Sequence, residues 1–408
     1  MTTEELPLHV PSADDWDEIS RMLFRAFHDP FDESVKTAER EVFEPERSLL
    51  ARDANAVVAH AGAYSRELSV PGAVVPAAHV TLVGVAPTHR RRRLLSRMMH
   101  RQLQDIRAAG REPVAVLWAS EAPIYPRFGY GHAAPRVGLD VNSAAVGLAP
   151  GDPGRLRAGD PTELQPELAK VYDQLRGDRP GWSSRDDRWW RYVLGDLPTH
   201  RHGATERRAV LHEGPDGVDG YALWRTKGEW DSRGPKGEAR AEAIVAATPE
   251  AYLALWRFLL SIDLTRSVTY RYAAPDEPLQ HLVADPRQLG AQLSDGLWLR
   301  IVDVGSALSA RRYATEIDVV LDVTDPLLPD NAGRWRLSGG PTGARCERTT
   351  DAADLVLNVR YLGTAYLGGP SLAALAAAGL VRELTPGTLA QASAAFGWHR
   401  EPAAVEVF

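Results

Sequence analysis

Apolar positions along the first 120 residues recur with two spacings. Trp16, Ile19, Leu23 and Phe27 lie three and four residues apart behind Ala13-Asp14-Asp15, which predicts a helix with an acidic opening turn and one buried stripe. Ser48–Arg52 and Ala56–Leu68 read as strands joined by the Asp-Ala-Asn turn at 53–55, and Pro71-Gly72 marks a second turn. His79–Val85 is β-branched and extended, and Pro87 ends it. Leu95, Met99, Leu103 and Ile106 then line one face of a helix that stops at Gly110, before a buried strand over Pro113–Ala119. The order is strand, tight connection, helix, strand.

Gly, Pro and Asp dominate around 145–165 and predict a domain boundary. Beyond it the order repeats, with strands at Arg208–His212, Val218–Arg225 and Glu238–Ala247, a helix over Glu250–Ile262 and a strand at Ser267–Tyr272. We read this as a degenerate internal duplication. The copies differ where the helix begins. Thr248-Pro249-Glu250 caps and neutralises the second helix from within, whereas the first copy has Thr88-His89 followed by Arg90, Arg91, Arg92 and Arg93. A third region from about residue 290 carries strands at Trp298–Val304, Glu316–Asp322, Arg334–Leu337 and Asp354–Asn358. Two short helices, SLAALAAAGLV and TLAQASAAF, complete a small α+β domain.

Charge sharpens the contrast between the copies. The chain of 408 residues has a net charge of −7, yet Thr88 to Arg107 holds seven arginines against Asp105 alone. That segment is +6 and the remainder −13, which argues against a nucleic-acid role and for one specific anionic ligand. A helix N-terminus is already partly positive, so four guanidiniums there are stabilising only with an anion in place. The alternative is a solvated basic face. The opening MTTEELPLHV is acidic and lacks the apolar core of a signal peptide, and no apolar run is long enough to span a membrane. One cysteine, Cys346, fits a cytoplasmic protein without disulfides; with no histidine close in sequence it reads as structural. His200 and His202 are too isolated to form a metal site, and no metal is expected.

The segment from Val85 to Leu95, V-x-P-x-H-R-R-R-R-L-L, resembles the acetyl-CoA pyrophosphate loop of GNAT N-acetyltransferases. The segment from Ser120 to Gly131, SE-x-x-IY-x-RFGYG, is similar to the signature of the Eis family of multi-acetylating aminoglycoside acetyltransferases. The likeness continues through GWSSRDDRWW (181–190), PDEPLQHLVADPRQL (275–289) and DGLWLRIVDVGSALSARRY (295–313), and covers essentially the whole chain.

The resemblance implies tandem GNAT folds, the second degenerate, followed by a sterol-carrier-protein-like α+β domain. The expected spans are 1–150, 151–290 and 291–408. It implies a homo-hexamer acting on small-molecule amines, without nucleic-acid or membrane partners. Acetyl-CoA is expected against Val83, Gly84 and Val85, with its pyrophosphate on Arg90, Arg91, Arg92, Arg93, Leu94 and Leu95 and with Ser120 nearby. Tyr125 falls on the family's general acid and Phe408 on the residue whose α-carboxylate is its base. Phe27, Asp29 and Glu406 are the expected substrate contacts. Three departures stand out: Arg93 replaces the loop's usual glycine, Val407 sits where the family has an acid, and Glu39 stands roughly where an aromatic is expected. The implied function is N-acetylation of polycations, aminoglycosides at several positions. Protein lysine or a polyamine is the alternative within that chemistry, and a catalytically impaired acyl-CoA or lipid binder the alternative outside it.

Overall fold

The computed structural model describes residues 5–152 and 154–408. Residues 1–4, the start of the acidic opening stretch, and Pro153, inside the predicted boundary, lie outside the described residues. Contacts gather the chain into two compact units. One holds the residues up to Ala134, Leu297–His399 and Phe408; the other holds Pro135–Gly296 and Arg400–Val407.

The first unit opens with β1 (Leu8–His9), α1 (Trp16–Phe27), α2 (Glu33–Val42), β2 (Leu49–Asp53), β3 (Ala56–Val70), β4 (Ala73–Val85), α3 (Leu94–Ala109) and β5 (Val114–Trp118). Strands β1 to β4 form an antiparallel meander, and β5 runs parallel to β4. Helix α1 begins where predicted, because Asp15 accepts from both the backbone and the hydroxyl of Ser12. Trp16, Ile19 and Leu23 bury against Leu50 and Val57. Phe27 departs from the predicted stripe. It is the last helical residue, His28 turns left-handed behind it, and its ring stays 43% exposed.

The second unit repeats the plan with β6 (Gly131–Asn142), β7 (Arg155–Gly159), α4 (Gln165–Arg176), α5 (Asp187–Leu194), β8 (Arg208–Gly214), β9 (Gly217–Lys227), the small hairpin β10 (Trp230–Asp231) and β11 (Gly234–Pro235), β12 (Gly237–Ala246), α6 (Pro249–Leu260), β13 (Thr265–Ala273) and α7 (Leu279–Leu282). Here β12 and β13 are the parallel pair joined through α6, as β4 and β5 are through α3. Leu255, Trp256 and Leu259 of α6 pack on Val268 and Tyr270 of β13.

The remaining elements are β14 (Gln292–Ile301), α8 (Val304–Ala310), β15 (Ile317–Thr324), β16 (Gly333–Gly340), β17 (Gly343–Arg348), β18 (Leu355–Asn358), α9 (Val359–Ala365), α10 (Leu372–Ala377), β19 (Val381–Glu383) and α11 (Thr388–Phe396). Strands β15 to β19 form a separate sheet in the order β17-β16-β15-β18-β19. The strand predicted to reach Val304 stops at Ile301, because the Asp303 carboxylate accepts from the Ser306 amide and starts α8. Leu297–Ile301 pairs antiparallel with Trp118–Val114, giving β5 its second neighbour. Beneath it Arg300 is fully buried and held by both oxygens of Asp325 at 2.8 and 2.7 Å.

Candidate active site

Strands β4 and β5 pair through only three residues each, Ala77–His79 with Val114–Val116. Beyond them β4 continues to Val85 bonded to β3 alone, and its other side opens. A bulge sets the opening. The register with β3 shifts between His60 and Gly62, and Leu82 opposite adopts a left-handed backbone at φ 51°. Buried His60 secures it, its Nδ1–H donating to the Leu82 carbonyl at 2.8 Å. Burial pushes the His60 imidazole down to about 4, so it is neutral and keeps that tautomer. Val83, Gly84 and Val85 lie on the opened segment. Gly84 meets α1 closely: a Cβ there would sit 3.0 Å from Leu23 Cδ2.

The arginine loop follows. Arg90, Arg91, Arg92 and Arg93 are exposed, and among the described residues none pairs with an acid. Arg97, Arg101 and Arg107, by contrast, pair with Glu5, Asp105 and Asp303. Arg90 reaches only the Ala26 carbonyl, at 3.5 Å. Helix α3 starts at Leu94 and Leu95 without a side-chain cap or an acid in its first turn. In α6 the Thr248 hydroxyl accepts from the Ala251 amide, Pro249 opens the helix and Glu250 sits in its first turn. Among the described residues the first copy's helix start has no side-chain cap and no acid in its first turn, and the second satisfies its own. Arg93 occupies the N-cap of α3 with φ 61°, a left-handed conformation that glycine adopts without strain.

Tyr125 begins a single 3-10 turn over Tyr125–Phe128. It is buried in one apolar cluster with Val80 of β4 and Leu117 of β5, and Val83 and Leu95 pack against the same cluster. Burial raises the phenol above its ordinary 10, with the Ser120 hydrogen bond opposing, so it is protonated at neutral pH. The glycines of RFGYG are dictated by what they face. Gly129 is left-handed at φ 82°, and a Cβ would lie 2.9 Å from the buried Arg300 guanidinium. At Gly131 a Cβ would strike the Arg360 carbonyl at 2.2 Å.

Phe408 lies beside the same strand. Thr81 Oγ1 donates to the Phe408 main-chain oxygen at 2.9 Å, and the Phe408 ring meets the His79 imidazole edge-to-face at 4.6 Å. Thr81 and His79 carried no signal in the sequence beyond their place in a β-branched run. Phe27 and Asp29 stand at the end of α1, the Asp29 amide bonded to the Phe24 carbonyl. Half-buried Glu39 in α2 feels the Asp29 charge; burial first and that charge second push its carboxyl up to about 7. Glu406, expected at the substrate, is tied to Arg185, whose Nε and Nη2 donate to Oε2 at 2.7 and 2.6 Å. Arg185 itself is held 4.0 Å over Tyr172 and 4.7 Å over Trp190.

Cys346 is buried, and burial pushes its thiol up to about 12, unsuited to a nucleophile at neutral pH. Among the described residues no three side chains form a metal-binding group, and no helix is long and apolar enough to cross a membrane.

Residues 9–133 and 181–301 each match the acetyltransferase (GNAT) domain, and residues 304–405 the sterol carrier protein domain. An uncharacterized N-acetyltransferase of Streptomyces avermitilis is 45% identical over 404 residues, covering 97% of each chain. The N-acetyltransferase Eis of Mycobacterium bovis is 35% identical over 404 residues and 95% of each chain. The crystal structure of Eis1 from Mycobacterium abscessus superposes with a TM-score of 0.85 at 34% identity, over 98% of this chain and 100% of that one.

Proposed function

Because the chain belongs to the Eis family of GNAT N-acetyltransferases, with two GNAT domains and a sterol carrier domain, we infer that it acetylates several amines of polycationic small molecules, aminoglycosides foremost. The observation that carries this reading is on β4. The strand that opens away from β5 holds the Phe408 oxygen through Thr81, and it shares an apolar cluster with a protonated, buried Tyr125.

Acetyl-CoA supplies a thioester acyl donor, and the opened strand and arginine loop fit it. Among the described residues, Val83, Gly84 and Val85 have no ladder partner on the β5 side. The uncapped amides of Leu94 and Leu95, with Arg90, Arg91, Arg92 and Arg93, suit a diphosphate. Ser120 orients the Tyr125 hydroxyl, and Tyr125 donates its proton to the departing thiolate. The carboxylate of Phe408 accepts the proton of the attacking amine, directly or through water; an ordinary terminal carboxyl near 3.5 is a weak base, so positioning matters more than basicity. Asp29 and Glu39, with the Phe27 ring, form an anionic wall for further ammonium groups.

The domain spans 1–150, 151–290 and 291–408, a cytoplasmic location and a homo-hexamer complete the proposal; light scattering of the purified chain tests the last. The decisive experiment measures CoA release with several aminoglycosides, spermidine and a lysine peptide. Turnover with an aminoglycoside, and more than one acetyl added by mass spectrometry, supports the reading. Turnover only with the peptide or spermidine replaces the substrate class. Acetyl-CoA binding without turnover on any amine favours an acyl-CoA or lipid binder.

A further inference from the structure

Strand alternation puts His79 and Thr81 on one face of β4 and Ala78 and Val80 on the other. Ala78 and Val80 pack in the cluster that buries Tyr125. His79 and Thr81 instead meet Phe408, the first through its ring and the second through its main-chain oxygen. His79 is also the last residue of β4 paired to β5, opposite Val116, so it stands at the fork where the strand opens.

A histidine that is 0% exposed is costly to bury unless its ring is bonded. Its Nδ1–H donates to the Ala77 carbonyl at 3.0 Å, which fixes the tautomer of the neutral ring and the plane in which it lies. Tyr64, its cross-strand partner on β3, is buried beside it. The imidazole is therefore a fixed surface. The Phe408 ring stands against it edge-to-face, with 4.6 Å between centroids and 63° between planes.

A terminal residue frays unless it is tied down. The Thr81 bond holds one oxygen of Phe408 and leaves the rest of the residue to swing about that point; a second attachment, through the side chain, removes the swing. We propose that His79 is a positioning residue for the base: its imidazole seats the Phe408 ring, and the seat and Thr81 together aim the carboxylate. This rests on the reading of that carboxylate as the base. It requires an aromatic side chain at position 408, which a carboxylate alone would not.

Two readouts on the full chain test this, one of them independent of turnover. A carboxypeptidase that removes C-terminal aromatic residues, followed by mass spectrometry, reports how often the chain end leaves its seat. His79→Leu should lose Phe408 about three- to tenfold faster than wild type, with acetyl-CoA binding retained as the check on folding. In the CoA-release assay, kcat should fall by a similar factor in His79→Leu and in Phe408→Leu, which keeps the carboxylate and loses the ring, while KM for acetyl-CoA stays unchanged. Phe408→Tyr keeps the ring and should hold kcat within about twofold of wild type. The double leucine variant should be no slower than the slower single one, because both remove the same contact. Release of Phe408 from His79→Leu at the wild-type rate overturns the proposal, as do single losses that multiply in the double variant. Where His79→Leu does not fold, equal kcat values for Phe408→Leu and Phe408→Tyr overturn it. Faster release with unchanged kcat supports the seat and removes the carboxylate as the base, so the two failures are told apart.

Discussion

Thr81 Oγ1 donates a hydrogen bond to the main-chain oxygen of Phe408 at 2.9 Å, joining residues 327 positions apart at the strand that opens beside Tyr125. Thr81→Val keeps the side chain's shape and deletes the donor. A bond of this kind contributes about 1 kcal/mol, so kcat should fall about five- to tenfold with the melting temperature nearly unchanged. An unaltered kcat would show that Thr81 plays no part in holding the base.

Residues appended after Phe408 would move the charged group off this oxygen. We expect activity to disappear in such a variant while its circular dichroism and acetyl-CoA binding persist. Full activity in the extended chain would eliminate the terminal carboxylate as the base.

Tyr125→Phe retains the ring that packs with Val80 and Leu117 and removes the proton. Turnover should drop by about 100-fold or more, with acetyl-CoA affinity by calorimetry unchanged. Loss of both together would mean that the phenol is structural.

Arg93 holds a left-handed backbone that costs a residue with a side chain about 1–2 kcal/mol, at the N-cap of α3. Arg93→Gly relieves that strain. It should raise the melting temperature of the unit by about 2 °C and make acetyl-CoA binding less sensitive to salt, because one cation is gone. A lower melting temperature would contradict the strain argument.

Glu39, pushed from 4.5 to about 7 by burial and by Asp29, gives a pH signature. The folded chain retains a proton that the unfolded chain has lost. Its contribution to stability is therefore complete below pH 4.5 and is gone once the pH has risen through 7. A bound ammonium favours the ionised form, so a polycationic substrate should bind more tightly as pH rises through that range. KM is expected to fall between about pH 6 and 8, and Glu39→Gln should flatten the change. Identical profiles for the two proteins would remove Glu39 from the pocket.

Local elements were legible because their causes are local. The Trp16–Leu23 stripe, the Gly110 stop and the capped start of α6 each depend on residues within one or two turns. Phe27 was misread because helical spacing cannot tell where the helix ceases to face the core. The pairing of Leu297–Ile301 with Trp118–Val114 is invisible in sequence, since nothing in either run names a partner 179 to 187 residues away. The arginine loop was legible through its charge, and the motif placed Tyr125. Thr81, His60 and the Arg185–Glu406 pair were not, because each acts through a neighbour that only folding supplies.

That long-range pairing changes how the N-terminal GNAT domain can be handled. A fragment ending near residue 150 would lack Leu297–Ile301 and leave Val114–Trp118 as a bare sheet edge of apolar residues, a template for intermolecular association. It would also uncover the surfaces that Gly129 and Gly131 press against Arg300 and Arg360. The N-terminal GNAT region and the strand Leu297–Ile301 are thus one inheritance. The first cannot be transplanted, or trimmed for solubility, without the strand lent to it from far along the chain.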